Sequence, residues 1–152
     1  MRDSSKKTFN RKLERIMELL DHEFYVVYLD KSVKCTCLHQ GTGQPEPTCK
    51  RCLGTGFKIK IRIVQGVSQE FSIPSTMRNT TGFVISRNYY LKSKDRMNND
   101  DLIVDGNGIW FVFQAPDYAS FDGEYIYQKC SAMPKKLDPA VFFKNFNQIV
   151  GR

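Results

Sequence analysis

Four cysteines in two close pairs constrain this chain more than any other feature of its sequence. Cys35 and Cys37 form the first pair, and Cys49 and Cys52 form the second. Two thiolates one or two residues apart can bind the same metal ion, and two such pairs about a dozen residues apart form a closed four-thiolate site. The spacing therefore predicts a structural zinc site with these four cysteines as its ligands.

The loop between the pairs, residues 38–48, contains little that could build a core of its own. It holds two glycines and two prolines, which are Gly41, Gly43, Pro45 and Pro47. The second pair is followed by Gly54 and Gly56, which fit a turn with positive φ whose backbone amides point back toward the sulfurs. We expect this segment to depend on a bound ion for its order.

Other interpretations of the cysteines stay open on sequence grounds. Disulfides would have to join one pair to the other, because bonds within a pair are strained at this spacing. Four unrelated thiols are a third interpretation, and His39 is placed to replace one cysteine unless it is an ordinary exposed loop residue. No apolar stretch follows the charges at the amino terminus, so we expect no secretory signal. With the odd fifth cysteine, Cys130, this favours a reducing compartment.

The composition predicts a single domain without a membrane-spanning segment. The chain has 152 residues, of which 41% are apolar and 12% aromatic, which is enough for one modest core. No apolar run approaches the length of a membrane span. The formal net charge of +7 permits contact with polyanions, although charge of this kind is more commonly a solvated surface.

Hydrophobic periodicity predicts a mainly β protein, a small antiparallel barrel with a helix at each end. An amphipathic first helix is predicted from apolar residues at helical spacing, which are Phe9, Leu13, Ile16, Met17 and Leu20. Strands are predicted at 24–29, 57–63, 83–85, 89–91, 100–104, 109–113 and 125–130, with a looser stretch at 66–81. Asp138, Pro139 and Gly151 mark the start and the end of the last helix.

This order of elements divides the chain into three parts. Residues 1–22 are the N-terminal helix, residues 23–137 are the barrel domain, and residues 138–152 are the C-terminal helix. The cysteine segment, residues 31–56, is predicted to be an insertion in the barrel domain, at the tip of a long hairpin. It is an elaboration of the sheet and not a domain of its own.

The strand predicted at 57–63 alternates between two kinds of side chain. Its apolar residues are Phe57, Ile59, Ile61 and Ile63, and its cations are Lys58, Lys60 and Arg62. Because successive side chains of a strand point to opposite faces, this alternation predicts one apolar face and one cationic face.

The sequence offers few groups for catalysis. Its two histidines, His22 and His39, lie at the end of the predicted first helix and in the cysteine loop. No serine-hydrolase elbow, zinc-protease motif or phosphate-binding loop is present. We interpret Asp100, Asp101 and Asp105 as hairpin turn residues rather than as a cation site or a catalytic acid. A four-thiolate zinc site has no open position for water, so we do not expect an enzyme.

Two patterns resemble virion proteins of tailed bacteriophages, the head–tail connector or neck proteins. One is Cys-x-Cys, a Pro-Glu-Pro spacer and Cys-x-x-Cys-x-Gly-x-Gly over residues 35–56. The other lies over residues 82–136, where acidic residues open a strand, a glycine turn and an aromatic strand follow, and a last strand leads to a basic end. This order is similar to the small β-barrel of head-completion, or stopper, proteins. The resemblance covers residues 23–137, and the zinc hairpin and the first helix depart from the simplest stoppers.

The resemblance implies a structural, non-enzymatic role. Such proteins form homo-oligomeric rings that close the DNA-filled head, with a portal or adaptor protein on one side and a tail protein on the other. The implied location is the virion, assembled in the host cytoplasm, and Lys58, Lys60 and Arg62 become candidate contacts to DNA in the channel. The alternatives are a tail-completion or baseplate barrel protein, and a zinc-ribbon protein that binds nucleic acid.

Overall fold

The computed structural model describes residues 22–75, 82–92, 94–106, 108–121 and 124–151, together with residues 7, 8, 11, 12, 15 and 19. Its strands are β1 (His22–Lys34), β2 (Phe57–Ser75), β3 (Gly82–Lys92), β4 (Leu102–Asp105), β5 (Gly108–Phe121) and β6 (Glu124–Pro134). The helix α1 (Pro139–Val150) follows the last strand. Within these residues, no helix has the length and apolar character needed to cross a membrane.

The six strands close into an antiparallel barrel in the order β1-β2-β3-β6-β5-β4. The barrel closes where β4 returns to β1, with Leu102 opposite Val27 and Val104 opposite Tyr25. This confirms the predicted fold class, which is mainly β with a small antiparallel barrel, a four-cysteine segment and a C-terminal helix. Of the predicted first helix, the described residues are helical, whereas its apolar residues lie outside the described part of the chain.

The barrel carries one apolar cluster inside and another on its outer face. The strand β1 contributes residues to both clusters, because neighbouring side chains of a strand point in opposite directions. Phe24 and Val26 point inward, where the buried cluster also contains Val64, Tyr89, Leu91, Met97, Ile103, Trp110, Val112, Cys130 and Ala132. Val27 points outward, where it is buried together with Leu53, Leu102, Val104, Ile109, Phe142 and Phe146.

The helix α1 covers the outer cluster, and its ends are those that the sequence predicts. The Oδ1 atom of Asp138 accepts a hydrogen bond of 3.0 Å from the backbone N–H of Ala140, and Pro139 occupies the first helical position. Gly151 ends the helix in the left-handed region. Phe142 and Phe146 lie on one face, with ring centroids 5.8 Å apart, and are buried against the barrel.

Three details of the predicted layout are wrong. Residues 66–75, predicted as a looser stretch, continue β2 and pair residue by residue with β3. β3 is one continuous strand where the sequence predicts two short ones. His22 opens β1 and does not end a helix. Pairing between strands overrides local breaking signals such as Gly66 and Pro74, because the ladder satisfies the backbone of both strands.

Candidate metal centre

The hairpin between β1 and β2 brings the four cysteines together. Cys35 follows the last residue of β1, and its backbone N–H donates a 2.8 Å hydrogen bond to the carbonyl oxygen of Gly56, just before β2. The Sγ atoms of Cys35 and Cys49 are 3.8 Å apart, and those of Cys37 and Cys52 are 3.5 Å apart. All four Sγ atoms lie within 4.8 Å of one another.

These distances fit a metal ion and not a disulfide. Four zinc–sulfur bonds of about 2.3 Å in a tetrahedron place neighbouring sulfurs about 3.8 Å apart. A disulfide needs sulfurs about 2 Å apart, and all five cysteines are free thiols. Among the described residues, no other group of three or more histidine, cysteine, aspartate or glutamate side chains comes together in this way. The four cysteines therefore form a possible metal site.

Backbone N–H groups donate hydrogen bonds to three of the four sulfurs. Cys49 accepts from the amides of Arg51 and Cys52. Cys52 accepts from the amides of the two glycines that follow it in the motif, and Cys37 accepts from the amide of Glu46. Such donors stabilise negative charge on sulfur, so the loop is built to hold thiolates.

The two glycines behind the second cysteine pair make this arrangement possible. Gly54 and Gly56 have φ angles of 79° and 84°, which side chains other than glycine rarely adopt. A Cβ atom at Gly54 would lie 3.1 Å from the carbonyl oxygen of Pro47, and one at Gly56 would lie 3.1 Å from the side chain of Leu38. The sequence therefore predicts both the conformation of this turn and the direction of its amides.

The sulfurs differ in how readily they ionise in the absence of a cation. Desolvation by burial raises the pKa of Cys37 to about 12 and also raises the pKa of Cys52, in spite of the amides that point at them. At Cys49, burial acts in the same direction, but the amides of Cys52 and Arg51, together with the side chains of Cys37 and Cys52, outweigh it and lower the pKa to about 7. A bound cation would supply the positive charge that the other thiolates need.

The cysteine loop packs against the barrel and α1. Leu53 lies between Cys52 and Gly54, is 2% exposed, and belongs to the outer apolar cluster with Phe142 and Phe146. From α1, the side-chain amide of Asn145 donates a 3.2 Å hydrogen bond to the carbonyl oxygen of Thr48. The loop is thus held from two sides.

Sequence reasoning missed both of these docking contacts. A leucine in a loop otherwise poor in large apolar residues was an available signal for Leu53. Asn145 carries no such signal, because its partner lies 97 residues away along the chain.

His39 does not join the sulfur cluster. Its Nε2 atom lies 3.6 Å from a carboxylate oxygen of Glu46, and its side chain is 62% exposed. This is the placement of an ordinary loop histidine.

The three candidate DNA contacts lie on the part of β2 next to the cysteine loop. Lys58, Lys60 and Arg62 are exposed, and they share one face of the strand. Their partners across the β1–β2 ladder are Asp30, Tyr28 and Val26. Contact between these cations and DNA stays a prediction.

The three acidic residues near the β4–β5 hairpin have different surroundings and different partners. Burial raises the pKa of Asp101, an effect that the N–H groups of Leu29 and Asn98 partly offset by donating to its two carboxylate oxygens at 3.0 and 2.8 Å. Asp100 is exposed and pairs with Lys31 at 3.0 Å. The interpretation as simple turn residues fits Asp100 better than its buried neighbour.

Asp105 has three partners of its own. Its Oδ2 atom accepts hydrogen bonds from the Tyr89 hydroxyl at 3.1 Å and from the Arg87 guanidinium at 3.2 Å, and it lies 3.1 Å from Nε2 of His22. Burial, and then the charge of Asp105, raise the pKa of Tyr89, so that its hydroxyl stays protonated and donates. This carboxylate therefore ties β1, β3 and β4 together.

No protein-family model matches the chain, and no curated protein is similar to it. The fold and the four-cysteine cluster therefore carry the functional argument.

Proposed function

We propose that the four cysteines bind one zinc ion, and that the chain is a structural, non-enzymatic ring component in the neck of a tailed-phage particle. The observation that carries the proposal is that four cysteine sulfurs lie within 4.8 Å of one another at the end of a hairpin that packs on both the barrel and α1. A metal there stiffens a loop that has almost no core of its own.

A four-thiolate site suits a structural role. Four protein ligands complete the tetrahedron, so no position is left at which the metal could activate water or polarise a substrate. Tetrahedral sulfur ligation suits zinc or iron, so metal analysis must count both elements. We favour zinc because the loop has the closed ligand set of structural zinc sites.

The fold suits a ring subunit. The inner apolar cluster is formed by residues of the barrel strands together with Met97 of the β3–β4 connection, so the core of a subunit does not depend on a neighbour. Among the described residues, Val33, Ile63 and Ile149 are large apolar side chains that stay at least 43% exposed. A ring closes only if each subunit meets the next at a fixed angle, and a metal-stiffened hairpin provides a rigid contact element.

The proposal is tested by quantitative peptide mass spectrometry of purified particles. A copy number equal to that of the portal supports a ring stacked directly on the portal, and half that number supports a tail-side ring, including the tail-completion alternative. Absence of the chain from particles contradicts the structural role.

The row of Lys58, Lys60 and Arg62 favours a second candidate function, a zinc-ribbon protein that binds nucleic acid. Such binding weakens steeply as the salt concentration rises, because phosphate contacts release counterions. Titration of a short DNA duplex at several salt concentrations separates this candidate, which binds the duplex tightly at low salt, from a ring component whose contact with DNA is weak at most.

A further inference from the structure

Next to the cysteine loop, one backbone edge of the strand β2 has no strand partner among the residues that the structure describes. Its residues from 57 to 65 pair with β1 on one side, but the pairing of β2 with β3 begins only at Gly66. In the part of the chain that the structure describes, no strand lies along the other edge of residues 57–65. Nine residues of strand span about 30 Å, so this edge is long enough to pair with a further strand.

The two faces of this edge have opposite character. One face presents the exposed cations Lys58, Lys60 and Arg62. The other face, with Ile59, Ile61 and Ile63, borders a cleft of about 500 Å³. Ile149 and Val150 at the end of α1 complete this cleft, which Tyr25 and Arg62 also line. Ile63 is 59% exposed and Ile149 is 45% exposed, so the outer apolar cluster is left uncovered at this point.

We propose that this edge binds an extended segment of a partner protein in which acidic and apolar residues alternate. Unpaired backbone groups along a strand edge are matched by another extended backbone. Side chains of the added strand would alternate in step with those of β2. Its acidic residues would therefore face Lys58, Lys60 and Arg62, and its apolar residues would extend the isoleucine row toward Ile149.

A second copy of the same edge does not fit this surface. Two antiparallel copies of residues 57–65 would place the cations of one chain opposite the cations of the other, and like charges directly across a ladder are destabilising. The lysines therefore act against self-pairing and in favour of an acidic partner.

Nucleic acid fits the surface less well than an acidic strand. Contacts from only three cations release few counterions from DNA, so they contribute little to the binding affinity. Neither the unpaired backbone edge nor the exposed isoleucines would find a partner on a duplex.

The edge is held in shape before a partner arrives. At one end, the hydrogen bond between Cys35 and Gly56 and the sulfur cluster close the hairpin. At the other end, Gly66 enters the ladder with Leu91 of β3. A strand fixed at both ends loses little conformational freedom on binding. The proposal rests on this geometry and not on a phage location.

The test uses the full chain and three short synthetic peptides. The first alternates glutamate and valine, the second is the same peptide N-methylated at the amides that would face β2, and the third alternates lysine and valine. Binding is measured by titration, and amide hydrogen exchange locates it. We expect only the first peptide to bind and to slow the exchange of amides within residues 57–65. Equal binding of the N-methylated peptide, or no slowing in this stretch, overturns the proposal.

Charge reversal on β2 provides the second arm. The double variant Lys60→Glu/Arg62→Glu should weaken binding of the glutamate peptide at least about tenfold and gain binding of the lysine peptide. The matched control, Lys136→Glu/Lys144→Glu, makes the same change in net charge on exposed residues elsewhere and should bind like the original chain. Equal loss in both variants overturns the proposal. So does a short DNA duplex that protects residues 57–65 and displaces the glutamate peptide.

Discussion

Single buried polar side chains anchor the segment that crosses from β3 to β4. Gln128 is fully buried, and its side chain accepts a 3.1 Å hydrogen bond from the N–H of Met97 and donates one of 3.1 Å to the carbonyl oxygen of Lys92. Asp101 closes the other end of the segment by accepting from Leu29 in β1. Each of these side chains satisfies backbone groups that would otherwise be buried without a partner.

We predict that Asp101→Ala lowers the free energy of unfolding by about 2 kcal/mol, because the substitution removes the acceptor for two backbone N–H groups. The neighbouring variant Asp100→Asn is the control. This variant removes only an exposed ion pair, and asparagine, like aspartate, tolerates the φ of 71° at this position. The free energy of unfolding should therefore change by no more than about 0.5 kcal/mol. Urea denaturation measures both, and equal effects would contradict the assignment.

At the scale of elements, the cysteine loop and α1 share one apolar cluster. Leu53 adopts a positive φ of 54°, which is unusual for a residue with a side chain. It is kept there because its side chain reaches the cluster around Phe142 and Phe146. The loop, the helix and the outer face of the barrel therefore stabilise one another.

We predict that Leu53→Ala destabilises the protein by about 3 kcal/mol, because it removes a buried side chain from this cluster. Val33→Ala, at a side chain that is 43% exposed on the same hairpin, should cost well under about 1 kcal/mol. Thermal unfolding compares the two variants. If Leu53→Ala is as mild as Val33→Ala, the loop does not dock on the helix as the structure shows.

We also predict a local effect of Cys52→Ser. Loss of one thiolate should release the metal and speed amide exchange in the cysteine loop and in α1, whereas amides of the inner barrel should stay protected. An equal rise in the amide exchange rate across all strands would show that the metal stabilises the whole barrel and not only the cysteine loop and α1.

Local signals explain which elements the sequence predicts well. The cysteine pairs with Gly54 and Gly56, and the caps Asp138 and Gly151, lie within a few residues of the groups that they organise. The length of β2 depends instead on pairing with β3, and the role of Asp101 on an N–H group 72 residues away. The docking of Leu53 likewise depends on a helix near the other end of the chain. Such distant partners cannot be assigned from one sequence.

At the scale of the whole molecule, the barrel is self-contained. Its inner cluster draws on residues from 24 to 132, and α1 with the cysteine loop forms a second layer on one outer face. Beside this layer, no described strand pairs with the edge of β2 at residues 57–65, and Ile149 near the end of α1 is 45% exposed. A ring subunit needs this combination of a rigid body and exposed contact elements.

We predict that deletion of residues 1–20 leaves the barrel folded and weakens assembly. The midpoint of thermal unfolding should change little, because the described inner cluster begins at Phe24. Analytical ultracentrifugation should show a smaller assembly than that of the full chain. A deletion variant that fails to fold would instead place the first helix in the core of its own chain.

Native mass spectrometry of the purified chain tests the four-cysteine metal site most directly. We predict one zinc ion per chain, retained by Cys130→Ala, which removes the buried cysteine outside the cluster, and lost by Cys52→Ser. A metal-free chain that carries two disulfides, or a Cys52→Ser variant with full zinc occupancy, would contradict the four-thiolate site.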